Sequence, residues 1–167
     1  MAKKADYDLQ SVSEAATCGI RHIGIGTSSS GKMREYLKKQ GFDDCVIRAA
    51  VEDLIRRDYI DDERAGRKVL LVRSGKKQES RAYLRERLFA AGVRSAVIDK
   101  LITEVEEDGD LCFNLYLSVK PDVSDAEEAY ASRDELMKLA SKRGFTSEAA
   151  RSAYGNWLEK VTDDKQK

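Results

Sequence analysis

Apolar side chains recur along this chain at helical spacing. The same phrase comes three times: an apolar helix face, a glycine, a short joint and a second apolar face, at a period of about fifty residues. The glycines are Gly41, Gly92 and Gly144, and Met33 with Leu37, Leu84 with Leu88, and Leu136 with Ala140 stand eight and four residues before them. Each glycine suits the position just past a helix C-terminus, where φ turns positive and a Cβ would clash. Phe42, Val93 or Phe145 follows, and a new helix is expected to start near Asp43, Arg94 or Thr146. Asp43 and Thr146 are good N-caps; Arg94 is a poor one, for which Ser95 can substitute. The helices that follow carry Val46, Ile47, Ala50, Val51 and Leu54; Val97, Ile98, Leu101, Ile102 and Val105; and Ala149, Ala150, Ala153, Tyr154 and Trp157, one buried face each. Trp157 and Tyr154 therefore read as core.

A further helix is expected before each pair, over 13–25, 62–74 and 109–119. In the second of these Asp61 is the cap, Asp62 and Glu63 sit in the first turn where the helix dipole favours acids, Arg73 closes the last turn and Gly75 follows. The pattern predicts an all-α fold of three tandem three-helix repeats stacked into an elongated, curved array, since units this small cannot bury their apolar faces alone. The divisions are a tail at 1–12, repeats at 13–60, 61–108 and 109–161, and a tail at 162–167. The third repeat departs from the others by an acidic inserted loop around Lys120 to Glu128 and by Ala140 where the others have leucine, so looser packing is expected there.

Apolar residues at 41% and charged residues at 36%, with Pro121 the sole proline, suit a helical protein. No apolar run approaches the roughly 18–20 residues of a membrane span, and the start lacks the apolar stretch of a signal peptide, so a cytosolic location is expected. Cys18, Cys45 and Cys112 are odd in number and far apart, and read as free thiols. His22 has no ligand partner at metal spacing and is assigned no role. Formal net charge is zero, but the charges are segregated. Residues 64–94 are strongly basic, opposed only by Glu79 and Glu86, whereas 103–135 are strongly acidic, opposed only by Lys120 and Arg133.

Two signals point elsewhere. Gly26-Thr-Ser-Ser-Ser-Gly31-Lys32 matches G-x-x-x-x-G-K, a loop that cradles phosphates, although Met33 stands where a magnesium-binding hydroxyl belongs. The alternative is a Gly/Ser loop between two helices. Residues 43–73 can also be scanned as a winged helix, with a turn at Glu63 to Gly66 and a strand from Lys68 to Val72, which would make the chain a DNA-binding transcriptional regulator.

The stretch DDERAGRKVLLVRSGKKQESRAYLRERLFAAGV, from Asp61 to Val93, resembles the central repeat of the RecX family of RecA regulators, with its Asp-Glu-Arg helix start, basic joint and helix ending before Gly-Val. REYLKKQGFDDCVIRAAVEDLIRRDYIDDER resembles the end of that family's first repeat, and LASKRGFTSEAARSAYGNWL the end of its third, so the likeness runs from about Ser13 to Val161. The joint IGIGTSSSG departs from the basic, polar joint usual in the family.

The resemblance implies a cytosolic, monomeric, non-enzymatic protein without a cofactor or metal. Such a protein binds the groove of the RecA filament, meets single-stranded DNA directly or through RecA, and limits RecA's recombinase, ATPase and coprotease activities in DNA repair and the SOS response. Arg64, Arg67, Lys68, Arg73, Lys76, Lys77, Arg81, Arg85 and Arg87 are the candidate contacts to filament or DNA phosphate, and Arg81 and Arg85 at i, i+4 repel one another on a helix. Asp61, Asp62 and Glu63 are read as capping groups, not metal ligands.

Overall fold

The computed structural model describes residues 7–163, which hold ten α-helices and no strand. In order they are α1 (Val12–Ile23), α2 (Ser30–Gln40), α3 (Asp44–Arg56), α4 (Asp62–Val72), α5 (Arg81–Ala90), α6 (Ser95–Glu104), α7 (Asp108–Val119), α8 (Ala126–Ala131), α9 (Arg133–Lys142) and α10 (Ser147–Asp163), with a 3-10 turn at Gly75–Lys77. The winged-helix reading is overturned: the segment that would form its hairpin is α4. Asp61 decides this locally, because its Oδ1 accepts from Arg64 N at 2.8 Å and its carbonyl from Ala65 N at 3.0 Å, closing the first helical turn. Backbone pairing of β type is limited, among the described residues, to one parallel bridge between Ser28 and Ile60.

Gly41, Gly92 and Gly144 have φ of 97°, 76° and 83°, and the amide after each donates to the carbonyl five residues back, Phe42 to Leu37, Val93 to Leu88 and Phe145 to Ala140. These are the glycine C-caps expected from the sequence. Thr146 caps α10, its Oγ1 accepting from Ala149 N at 3.1 Å. Asp43 holds the N-cap position of α3 without capping it; its carboxylate accepts instead from Gln10 Nε2. Arg94 does stand at the cap of α6, its carbonyl accepting from Ile98 N at 2.9 Å, while its side chain turns elsewhere. The acidic insertion is not all loop: Asp125 caps α8 through Glu128 N at 2.8 Å. Of the two tails, residues 1–6 and 164–167 lie outside the described residues. Tyr7 packs its ring 5.7 Å from that of Phe42.

The chain divides into two compact units, one of residues 1–68 and 88–99, the other of 69–87 and 100–167. In the first, α1 packs on α2 and α3 around Ala15, Cys18, Met33, Leu37, Val51 and Leu54, all at most 1% exposed. A leucine so placed contributes about 1.5–3 kcal/mol through burial. In the second, α10 packs on α7, α8 and α9 around Leu115, Tyr116, Ala129, Leu136, Ala140, Ala153 and Trp157, all fully buried. Tyr154 is buried with them and donates to Ala129 O at 2.9 Å.

Candidate interaction surface

The phosphate-loop look-alike is explained by packing. Ser29 caps α2 by accepting from Lys32 N and itself donates to Ala91 O at 2.6 Å. Gly31 N donates to Gly92 O at 2.8 Å, and Ser30 N donates to Asp62 Oδ1 at 2.7 Å. The amides that a bound phosphate would need are thus already taken, two by backbone and serine oxygens and one by a carboxylate of the same chain. The two glycines are required by the crossing itself: a Cβ on Gly31 would stand 2.6 Å from Gly92 Cα, and one on Gly92 would stand 2.7 Å from Lys32 N.

Asp62 is the centre of this joint. Its side chain is 1% exposed and also accepts from Ser30 Oγ at 2.8 Å and from Arg94 Nε at 2.8 Å. A carboxylate at the positive end of α2, with a guanidinium on its other oxygen, has the partners that a buried charge needs. The Asp62 expected as a simple first-turn acid is therefore a buried hub, and Arg94 turns its side chain to that hub.

A matching joint stands in the second unit. Ser80, fully buried, caps α5, and its amide donates to Arg143 O at 3.0 Å. Arg81 N donates to Asp108 Oδ1 at 2.8 Å, and a Cβ on Gly144 would stand 2.7 Å from Ser80 Oγ. Ser80, Arg81, Asp108 and Gly144 repeat the roles of Ser29, Ser30, Asp62 and Gly92.

The nine cations singled out in the sequence divide by what their side chains meet. In the first unit Arg64, Arg67 and Lys68 share a face of α4 at i, i+3 and i+4. Arg67 Nη2 pairs with Glu63 at 2.8 Å and Lys68 Nζ donates to Thr27 Oγ1 at 3.1 Å, while Arg64 is exposed with no acid partner among the described residues. In the second unit three of them serve the fold. Arg87 forks onto buried Glu79 through Nε at 3.1 Å and Nη2 at 2.9 Å, with Arg73 on the same carboxylate at 3.7 Å. Burial alone would raise the Glu79 carboxyl; Arg87, with Arg73 and Arg143, more than reverses this and holds it below its ordinary 4.5. Arg81 pairs with Glu107 and donates from Nη2 to Ile102 O at 2.9 Å, so it does not lie free beside Arg85. Lys76 and Lys77 stand exposed on the 3-10 turn, without acid partners among the described residues, and Arg85 is exposed on α5. Next to them in the chain, Leu71 and Val72 are 75% and 58% exposed.

The remaining reactive side chains are mostly sequestered. Cys18 and Cys112 are buried and Cys45 is exposed; burial pushes the Cys112 thiol up to about 11. His22 stacks on Tyr36 with centroids 3.6 Å apart and 7° between planes, and burial pushes the Tyr36 hydroxyl up to about 12. Among the described residues no three of His, Cys, Asp and Glu are grouped to hold a metal, and no helix is long and apolar enough to cross a membrane.

No protein-family model matches the chain. Curated relatives do. The regulatory protein RecX of Streptococcus uberis is 22% identical over 137 residues, 82% of this chain and 53% of that protein. Its counterpart in Prosthecochloris aestuarii is 27% identical over 145 residues, 87% of this chain and 94% of that protein. The crystal structure of RecX from Lactobacillus salivarius superposes with a TM-score of 0.68 over 87% of this chain and 96% of that one, at 9% identity. The chain is similar in sequence to RecX proteins over most of its length and shares the fold of one of them. It spans about half the length of the Streptococcus RecX and nearly all of the Prosthecochloris RecX. Both RecX relatives are named as regulatory proteins, and the RecX crystal structure shares the helical fold.

Proposed function

We propose that this chain is a cytoplasmic, monomeric regulator of the RecA recombinase, without enzymatic activity or cofactor. It binds the groove of the RecA filament on single-stranded DNA and restrains ATP hydrolysis, strand exchange and coprotease function in DNA repair and the SOS response. In this reading three tandem three-helix repeats stack so that the chain bridges successive filament subunits. The two matching joints, each with a carboxylate at a helix N-terminus and a glycine laid across it, support such a repeat.

One observation carries the reading: the segment that most resembles RecX is also the segment whose cations Arg64, Lys76 and Lys77 are exposed with no acid partner among the described residues. Charges left over by the fold are the ones that a filament or a phosphate backbone can use, and their contribution falls with added salt. Arg67, Lys68 and Arg85, exposed but engaged within the chain, extend the same set. Arg73, Arg81 and Arg87 are held by acids of their own chain.

The test is DNA-dependent ATP hydrolysis by RecA with the chain added. Inhibition is expected at or below one chain per RecA, weakening with salt, and reduced by Arg64→Glu combined with Lys76→Glu and Lys77→Glu. An unchanged rate would defeat the reading. Equal inhibition by the parent and the triple variant would defeat the assignment of the cations alone.

A further inference from the structure

Ser29, Ser80 and Ser132 stand twelve residues before Gly41, Gly92 and Gly144, at the N-terminal ends of α2, α5 and α9. In the two joints the residue after the serine meets an acid from later in the chain. Ser30 donates its amide and hydroxyl to Asp62, and Arg81 donates its amide to Asp108 and pairs its guanidinium with Glu107. The residue at that place on α9 is Arg133, which is exposed and has no acid partner among the described residues. It borders a cleft of about 250 Å³ between α9 and α10, and Arg151, also exposed and without an acid partner among the described residues, stands on the same cleft. Half-buried Met137, with Phe145 and Ala150, which are 6% and 3% exposed, gives the cleft an apolar floor. No acid lines it. From Arg133 to Arg151 the chain carries five cations and three acids, and one of those acids, Glu135, is spent on Lys120 at 2.7 Å. Asp134 and Glu148 are the other two, so the positive charge around the cleft is in excess.

We propose that this cleft receives an acidic segment of another protein, two neighbouring carboxylates meeting Arg133 and Arg151 and one apolar side chain lying on Met137, Phe145 and Ala150. An acid supplied from outside takes the place that Asp62 and the Glu107-Asp108 pair fill for the first two serines. A guanidinium is a planar fork that matches a carboxylate with two parallel hydrogen bonds, and two such forks call for a pair of acids. The volume lies just below the roughly 300–1,000 Å³ of sites for drug-sized ligands, which suits a side chain or two of a segment laid along the surface. A nucleic-acid phosphate would use the arginines and leave the apolar floor uncovered. The cleft uses none of the cations assigned above, so it stands whether or not the chain restrains RecA.

Methionine makes the test direct, because the chain has three and Met137 is the one on the cleft, whereas Met33 is fully buried in the other unit. The intact chain is labelled with ¹³C-methyl methionine and titrated with acetyl-Gly-Asp-Asp-Leu-Gly-amide, with its Asn-Asn counterpart, and with an oligothymidylate. A saturable shift of the Met137 methyl with an unmoved Met33 methyl is expected from the acidic peptide, with at least tenfold weaker binding of the Asn-Asn peptide, since the charge-assisted bonds are lost. Arg133→Gln combined with Arg151→Gln, two exposed positions that leave the core intact, is expected to weaken the acidic peptide at least tenfold and to leave the Asn-Asn peptide unchanged. The proposal is overturned by an unshifted Met137 methyl at about 10 mM acidic peptide, by equal binding of the two peptides, or by indifference to the double substitution. A Met137 shift that saturates at lower concentration with the oligothymidylate than with the acidic peptide would also overturn it and assign the cleft to phosphate.

Discussion

The Asp62 joint and the Asp108 joint use one plan with different degrees of enclosure. Around Asp62 the helix N-terminus is serine, the carboxylate is sealed from water, and a distant arginine completes it. Around Asp108 the matching residue is Arg81, whose long side chain leaves the joint for Glu107 and Ile102 O, and the carboxylate stays half-buried. A small residue at that position lets the acid sink into the fold and makes it depend on every partner. A large one keeps the acid wet and makes it replaceable. The same hydrogen bond between an amide and a carboxylate therefore carries unequal weight in the two units.

The contrast is broken most severely at the acids. Asp62→Ala leaves Arg94 and the Ser30 donors facing an emptied, buried position, and a loss of about 3–5 kcal/mol in urea unfolding is expected. Asp108→Ala removes one accepted amide bond beside solvent and is expected to cost about 1 kcal/mol. Similar losses from the two would mean that enclosure is not what separates them. The glycines come next. Gly92→Ala drives a Cβ into backbone, Lys32 N and Gly31 C, at positive φ, and about 3 kcal/mol is expected from overpacking and left-handed strain together. Gly144→Ala carries the same left-handed strain at φ 83° but meets mainly the Tyr83 ring, a side chain that can move, so about 2 kcal/mol is expected.

A pH series sharpens the comparison further, because Glu79 gives the second unit a dependence of its own. Its carboxyl is held below the ordinary 4.5 in the folded protein, so the unfolded chain takes up the proton first. The stability it contributes is complete above that value and is lost as pH falls from about 4.5 through the lower folded value. Glu79→Gln should remove that part of the acid limb, seen as a shallower fall of the urea midpoint below pH 4.5. An unchanged acid limb would show that the Arg87 fork adds nothing to the fold. Smallest of all, Lys76→Glu and Lys77→Glu should shift stability by less than about 0.5 kcal/mol, which keeps them clean probes of binding.

Much of the local structure was legible because its causes are local. Asp61, Thr146 and the three glycines act within five residues of themselves, and the sequence shows both ends of each interaction. The joints were not legible, because Ser30 and Asp62 lie 32 residues apart, as do Asp62 and Arg94. Asp62 looked like an ordinary first-turn acid, and Arg94 looked only like a poor cap. One signal was available: Asp61-Asp62 and Glu107-Asp108 are acid pairs at the same point of the recurrent phrase, and a second acid just after an acidic cap needs its own explanation. The basic stretch illustrates the opposite limit. Its composition was plain, but which cations the fold consumes depended on Glu79 and Glu107, and side-chain pairing is not written in charge counts. The alternative hairpin at 60–72 does not form, because β-favouring Val-Leu-Leu-Val carries less weight than the helix start capped by Asp61, eight residues before Val69.

The cysteines have a practical consequence. Two are enclosed, one of them with its thiol held protonated far above neutrality, and Cys45 alone stands at the solvent. A maleimide dye added to the unmodified chain under native conditions should attach at that one place on α3, giving a fluorescent reporter of complex formation with no substitution in the sequence.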